Sequence, residues 1–166
     1  MPSAIRVMCV EDNELVADVL ARKLSGDPAF VWLGWVSDAQ ALCEKAASEN
    51  PHVVCMDLHM PGQDAVDMIR RLSRCAPGAR VMILSGHDAP ESVRAVADAG
   101  AWGYLSKAED SRAIIEAIRR VAAGEKMFGA YAAMMARVDT ASSIDIKPPG
   151  FLQRVFGRRS NGKNAS

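Results

Sequence analysis

The chain has 166 residues, about one domain at the usual ~150 residues per domain, so it builds one core and is not a large multidomain enzyme. Hydrophobic residues make up 49% and charged residues 24%, an ordinary globular composition, and no run reaches the ~18 to 20 apolar residues of a membrane span. Basic and acidic residues, 20 of each, cancel, so net charge gives no argument for nucleic acid; Met1-Pro2-Ser3-Ala4 starts no signal peptide, and the cytoplasm is the expected compartment.

Short apolar runs rich in β-branched residues predict strands at Ile5 to Val10, Phe30 to Val36, Val53 to Met56, Val81 to Leu84 and Ala101 to Leu105. Between them the spacing turns helical, as in Leu15, Val16, Val19, Leu20 and Leu24, or Val66, Ile69 and Leu72, or Ile114, Ile115, Ile118 and Val121. Breakers separate the elements at Gly26-Asp27-Pro28, Asn50-Pro51, Pro61-Gly62, Ala76-Pro77-Gly78 and Gly100. Such alternation over residues 4 to 124 predicts a parallel sheet covered by helices on both faces. The first and third runs are nearly all apolar, which suits central strands, whereas the second holds Trp32, Gly34 and Trp35 and suits an edge.

Residues 125–166 break the rhythm. Met127, Phe128, Tyr131, Met134, Met135 and Val138 share one helical face, predicting an extra amphipathic helix over 125–139. Residues 140–166 read as a Ser- and Pro-containing linker followed by a short basic tail with Arg154, Arg158, Arg159 and Lys163. Zero net charge is a sum of opposite parts: residues 1–124 carry 13 basic and 17 acidic side chains, residues 125–166 carry 7 and 3. Cys9, Cys43, Cys55 and Cys75 lack CxxC spacing and are read as reduced, largely buried thiols.

In an open parallel sheet, ligands bind beyond the carboxyl ends of the strands. Glu11 and Asp12 follow the first strand, Asp57 the third, Ser85 the fourth and Lys107 the fifth. Clustered carboxylates repel by ~4 kcal/mol per pair at 4 Å and an effective dielectric of about 20, so a cation must hold them. Hard oxygen ligands favour Mg²⁺ or Mn²⁺, and a divalent ion with Lys107 balances Glu11, Asp12 and Asp57. The set suits phosphoryl transfer to a carboxylate nucleophile, with Ser85 able to bond the added phosphoryl oxygens. A single Asp at a strand end more often caps a helix, but this set spans successive loops on one rim.

Four motifs in order, Val7-Met8-Cys9-Val10-Glu11-Asp12-Asn13, Val54-Cys55-Met56-Asp57-Leu58-His59-Met60-Pro61-Gly62, Val81-Met82-Ile83-Leu84-Ser85-Gly86 and Gly100-Ala101-Trp102-Gly103-Tyr104-Leu105-Ser106-Lys107, make residues 4 to 124 resemble the receiver domain of two-component response regulators. The resemblance implies a flavodoxin-like (CheY-like) three-layer α/β/α fold, with a five-stranded parallel sheet of order 2-1-3-4-5 and a receiver over 1–124. It implies Asp57 as the acceptor of a phosphoryl group from a sensor histidine kinase or phosphotransfer protein. Glu11, Asp12, Asp57 and the backbone carbonyl of His59 would hold the metal. Lys107 would pair with the phosphoryl oxygens, Ser85 would act as the switch hydroxyl, and Tyr104 as the aromatic that follows it. His59 and His87 border the phosphoryl position and are expected to influence its lifetime, in a pH range near that of an unperturbed imidazole.

Two residues depart from the family pattern: Ala108 stands where proline is common after the lysine, and Ala65 where glycine is usual. The output expected is a phosphorylation-dependent contact, with a partner or a second copy, through the face of helix four, strand five and helix five. A phosphorelay intermediate and an oligomerisation module are the alternatives. Residues 125–166 hold no two-helix recognition unit, so neither sequence-specific DNA binding nor a membrane role is expected. A haloacid-dehalogenase-type phosphatase would carry a second Asp two residues after the nucleophile, where this chain has His59.

Overall fold

The computed structural model describes residues 3–86 and 89–128. Strands and helices alternate along the chain: β1 (Ile5–Val10), α1 (Glu14–Ser25), β2 (Phe30–Val36), α2 (Ala39–Glu49), β3 (Val53–Asp57), α3 (Ala65–Cys75), β4 (Arg80–Ser85), α4 (Pro90–Asp98), β5 (Gly103–Ser106), α5 (Ser111–Ala122) and β6 (Met127–Phe128). The strands form one parallel sheet of order β2-β1-β3-β4-β5-β6.

Side-chain polarity accounts for each position in the sheet. β3 is buried along its whole length, so both faces must be apolar, as Val53, Val54, Cys55 and Met56 provide. β2 lies at the edge with Val31 exposed, and its pairing with β1 is irregular between Val7 and Cys9. Gly34 absorbs that irregularity with φ +94°, a conformation that costs a residue with a Cβ.

Helices close the two faces around separate cores. Leu42 and Ala46 of α2, Met68, Ile69 and Leu72 of α3, and Val93 and Val96 of α4 pack on one side with Met8, Val54, Met56 and Ile83. Leu20 and Leu24 of α1 and Ile114, Ile118 and Val121 of α5 pack on the other with Val7, Val53, Met82 and Leu84. Short polar side chains fix where helices begin: Asn13, Asp38, Asp64 and Asp110 accept hydrogen bonds from backbone N–H groups of the first turns of α1, α2, α3 and α5. Pro90 opens α4 at a position where its missing N–H costs nothing.

The sheet has six strands where five were expected, and the helix expected over 125–139 does not include its first apolar pair. Met127 and Phe128 instead pair with Gly103 and Tyr104 of β5. The reason lies in β5. A Cβ on Gly103 would stand 2.7 Å from the Met127 carbonyl oxygen, so only glycine allows this approach. Arg80 and Lys126 both approach the Trp102 ring, 4.9 Å and 4.4 Å from its centre, and Lys126 Nζ donates to the Ala101 carbonyl at 3.0 Å. The sheet therefore includes residues past the expected boundary at 124. Residues 129–139 of the expected helix, and the linker and tail over 140–166, lie outside the described residues.

The cysteines also require correction. Cys43 of α2 and Cys75 of α3 form a disulfide, whereas Cys9 and Cys55 are free and buried as expected. A separation of 32 residues has no recognisable spacing, because only the packing of α2 on α3 brings the two together.

Candidate functional site: an acidic pocket at the strand ends

The sheet order reverses between β1 and β3, since the chain goes from β1 outward to β2 and then returns to the other side of β1. Loops from these strands diverge there and leave a crevice at their carboxyl ends. Glu11 and Asp12 follow β1 directly and Asp57 ends β3, and single carboxylate oxygens of all three lie within 4.8 Å of one another. Glu11 and Asp57 are buried, while Asp12 is exposed at the mouth.

Lys107, just past β5, reaches into this cluster. Its Nζ lies 2.7 Å from Glu11 Oε2 and 3.0 Å from Asp57 Oδ2. Backbone donors complete the carboxylates: His59 N–H donates to Asp57 Oδ1 at 3.1 Å, and Asn13 N–H to Glu11 Oε1 at 3.3 Å. Ser85, fully buried at the end of β4, is tied to the lysine loop because Lys107 N–H donates to its carbonyl at 2.7 Å. Tyr104 is buried in β5 against the α2–α3–α4 core. His59 is exposed, and His87 lies outside the described residues.

The charges do not cancel. One ammonium faces three carboxylates, and charge-assisted hydrogen bonds to two of them are all it offers. Burial pushes the Glu11 carboxyl above its ordinary value and the charge of Asp57 adds to this, with the Lys107 bond only partly reversing it. Burial alone would lower the Lys107 ammonium, but its hydrogen bonds to Glu11 and Asp57 outweigh that and hold it above the usual lysine value. Beneath the pocket, burial pushes the Cys55 thiol up to about 12, and Cys9 is likewise raised well above its ordinary value by burial and by nearby Cys55 and Glu11. Both are inert at neutral pH. The carboxylate donors, the unmet negative charge and the exposed Asp12 fit a hard divalent cation.

Three features of the pocket were not anticipated. Asn13 serves twice, its backbone N–H donating to Glu11 Oε1 and its side-chain oxygen accepting from Leu15 N–H to cap α1. Ala108, standing where proline is common, uses the N–H that proline lacks, donating to Ser106 Oγ at 3.2 Å and tightening the turn after Lys107. Beside the carboxylates opens a cleft of about 340 Å³, lined by Glu11, Asp57 and Lys107 and by apolar Leu15, Val19 and Ile114. Leu15 and Val19 are 74% and 50% exposed, so the approach to Asp57 has an apolar lip. Their helical spacing was visible in the sequence, but their exposure was not.

A flavodoxin-like parallel sheet with an acidic pocket and an inserted lysine at its switch point is the architecture of a signalling receiver. Residues 7–119 match the response regulator receiver domain family, and the chain belongs to it. It is 35% identical over 127 residues to the transcriptional regulatory protein DegU of Brevibacillus brevis, covering 76% of this chain and 52% of that protein. It is 34% identical over 161 residues to the transcriptional regulatory protein MctR of Rhizobium johnstonii, covering 95% of this chain and 75% of that protein. Among solved structures, the signal receiver domain of the response regulator NarL from Mycobacterium tuberculosis superposes with a TM-score of 0.70 at 28% identity, covering 75% of this chain and all of that one. The chain spans about half the length of several of the curated relatives it matches, as with the 52% of DegU. No helix among the described residues is long and apolar enough to cross a membrane.

Proposed function

We propose that Asp57 accepts a phosphoryl group from the phosphohistidine of a sensor kinase or phosphotransfer protein, with Mg²⁺ (or Mn²⁺) bound by Glu11, Asp12, Asp57 and the His59 carbonyl. One observation carries this reading: Glu11, Asp12 and Asp57 converge within 4.8 Å while Lys107 bonds Glu11 and Asp57 together. A carboxylate oxygen of Asp57 attacks phosphorus, the bond from phosphorus to the donor imidazole breaks, and its electron pair returns to the imidazole nitrogen. The divalent ion, when bound, offsets charge on the phosphoryl oxygens. Lys107 keeps Asp57 oriented before transfer and pairs with the phosphoryl oxygens afterwards. Burial of Asp57 excludes water from the acyl phosphate and sets how long it lasts.

Ser85 and Tyr104 are the groups proposed to sense the product. The Ser85 hydroxyl bonds the phosphoryl oxygens and Tyr104 follows it on β5, so the signal passes to the surface of α4, β5 and α5. β6 covers the edge of β5, and the output surface therefore includes β6. A partner protein or second copy binding this surface is the output, in the cytoplasm. His59, exposed at the lip, borders the phosphoryl group, and replacing it with Ala is expected to change the decay rate of phosphorylated protein but not its formation. Incubation with Mg²⁺ and a small phosphoramidate, followed by intact mass, tests the reading: one phosphoryl group is gained by the native chain and none by Asp57→Asn. Repeated release of phosphate from an added phosphomonoester would instead mark a phosphatase.

A further inference from the structure

The four cysteines fall into two pairs of opposite character. Cys9 and Cys55 are register partners on β1 and β3, 4% and 0% exposed, at the floor of the cleft beside Asp57. Cys43 and Cys75 join α2 to α3 on one outer face of the molecule, and both are half-buried. Their Cα atoms are 5.7 Å apart, inside the window of roughly 4.4 to 6.8 Å that a disulfide requires. Leu42 and Ala46 of α2 and Met68, Ile69 and Leu72 of α3 share one apolar core, which holds the two helices together independently of the sulfurs. Neither cysteine lines the acidic pocket.

We propose that Cys43 and Cys75 form a reversible thiol–disulfide exchange site, closed by low-molecular-weight disulfides of the glutathione class and reopened by dithiol reductants, which gives this receiver a redox input separate from Asp57. Closure takes two exchanges. A thiolate of the pair attacks one sulfur of the small disulfide, a protein–sulfur bond forms, and the first small thiolate leaves. The second cysteine thiolate then attacks the protein sulfur of that mixed disulfide, the internal bond forms, and the second small thiolate leaves. The pair loses two electrons to the small disulfide, and the two protons depart on the released thiols. A dithiol reverses both steps.

Accessibility and geometry together favour exchange over a permanent staple. Both cysteines are only partly buried, unlike Cys9 and Cys55, and their Cα separation lies within the range a disulfide requires, so closing the bond asks little of the backbone. In a reducing compartment such pairs rest as dithiols and close under oxidation. The closed bridge ties the C-terminal end of α3 to α2 and shortens the freedom of the unfolded chain between them. Its effect therefore falls on the stability of the α2–α3 layer rather than on the charge around Asp57.

The full chain is equilibrated in glutathione buffers of graded ratio, quenched in acid, alkylated, and read by intact and peptide mass. The expected result is one two-electron transition in which Cys43 and Cys75 leave the alkylated pool together, an internally bridged peptide pair appears, and a dithiol restores both thiols. Cys9 and Cys55 react only after denaturant is added. The oxidised form melts about 10 °C above the reduced form. That difference disappears in Cys43→Ser and in Cys75→Ala, either of which retains the other cysteine as a mixed disulfide. Thiols persisting at every ratio, mixed disulfides without an internal bridge in the native chain, or a bridge that resists dithiol while the protein is folded would each overturn the proposal. Phosphoramidate labelling of Asp57 is measured in parallel, so loss of one result leaves the other interpretable.

Discussion

Lys107 Nζ lies 2.7 Å from Glu11 Oε2, a contact made between residues 96 positions apart. The lysine arrives from the loop after β5 and the glutamate from the end of β1, so the bond ties opposite sides of the pocket across β3 and β4. Because the same ammonium also stands 3.0 Å from Asp57, it holds the phosphoacceptor candidate and its neighbour in one arrangement.

Replacing Lys107 with Met keeps most of the side chain's apolar stem and, among the described residues, removes the cation bonded to these two carboxylates. In chelator the variant should lose about 2 kcal/mol of unfolding free energy, because a buried carboxylate without its partner is costly. Added Mg²⁺ should narrow the gap. Urea titrations with and without the metal measure this, and an equal gap in both conditions would speak against a cation held by these carboxylates.

Glu11 gives a pH signature in the metal-free protein. Its carboxyl is raised chiefly by burial, so the folded state holds its proton more tightly than the unfolded chain does. The stability this contributes is present below the ordinary glutamate value of about 4.3 and is lost as pH rises through the higher folded value. Relative to Glu11→Gln, the native chain should therefore become progressively less stable as pH rises from about 4 towards neutrality. Parallel stability curves in chelator would contradict this.

Gly103→Ala tests the sixth strand. The added Cβ meets the Met127 carbonyl at 2.7 Å, a backbone atom that cannot swing aside, so β6 must leave β5. The expected cost is about 1 to 3 kcal/mol, with increased solvent exposure of Trp102 read by its fluorescence. A chain ending after Phe128 should keep the native emission, and one ending after Gly124 should resemble the variant.

Asp110→Ala separates aspartates that cap from those that do chemistry. Asp110 Oδ1 accepts from Ala113 N–H at 2.8 Å, and its loss should cost about 1 kcal/mol while leaving phosphoryl acceptance unchanged. Reduced labelling of this variant would show that the α5 N-terminus is coupled to the pocket.

The legibility of the fold follows from how local each signal is. β1 and β3 announce themselves because central strands must be apolar on both faces, and the pocket residues lie where those runs end. Asp38, Asp64 and Asp110 also follow breaks in the pattern, yet they cap helices, and only the joint placement of Glu11, Asp57 and Lys107 sets the pocket apart. β6 was hidden because Met127 and Phe128 fit the apolar stripe of a helix, and what decides against it is the missing Cβ of Gly103, a residue of another element. The Cys43–Cys75 bond was hidden for a similar reason, since it depends on how α2 packs against α3.

The central claim is that Asp57 is the phosphoacceptor of a metal-dependent receiver. Its most direct test is the intact mass of the chain after incubation with phosphoramidate and Mg²⁺, beside the same reaction in chelator and with Asp57→Asn. A single phosphoryl gain in the native chain, lost in both controls and mapped to the peptide containing Asp57, is the predicted result. No gain in the native chain, or an equal gain in Asp57→Asn, would contradict it.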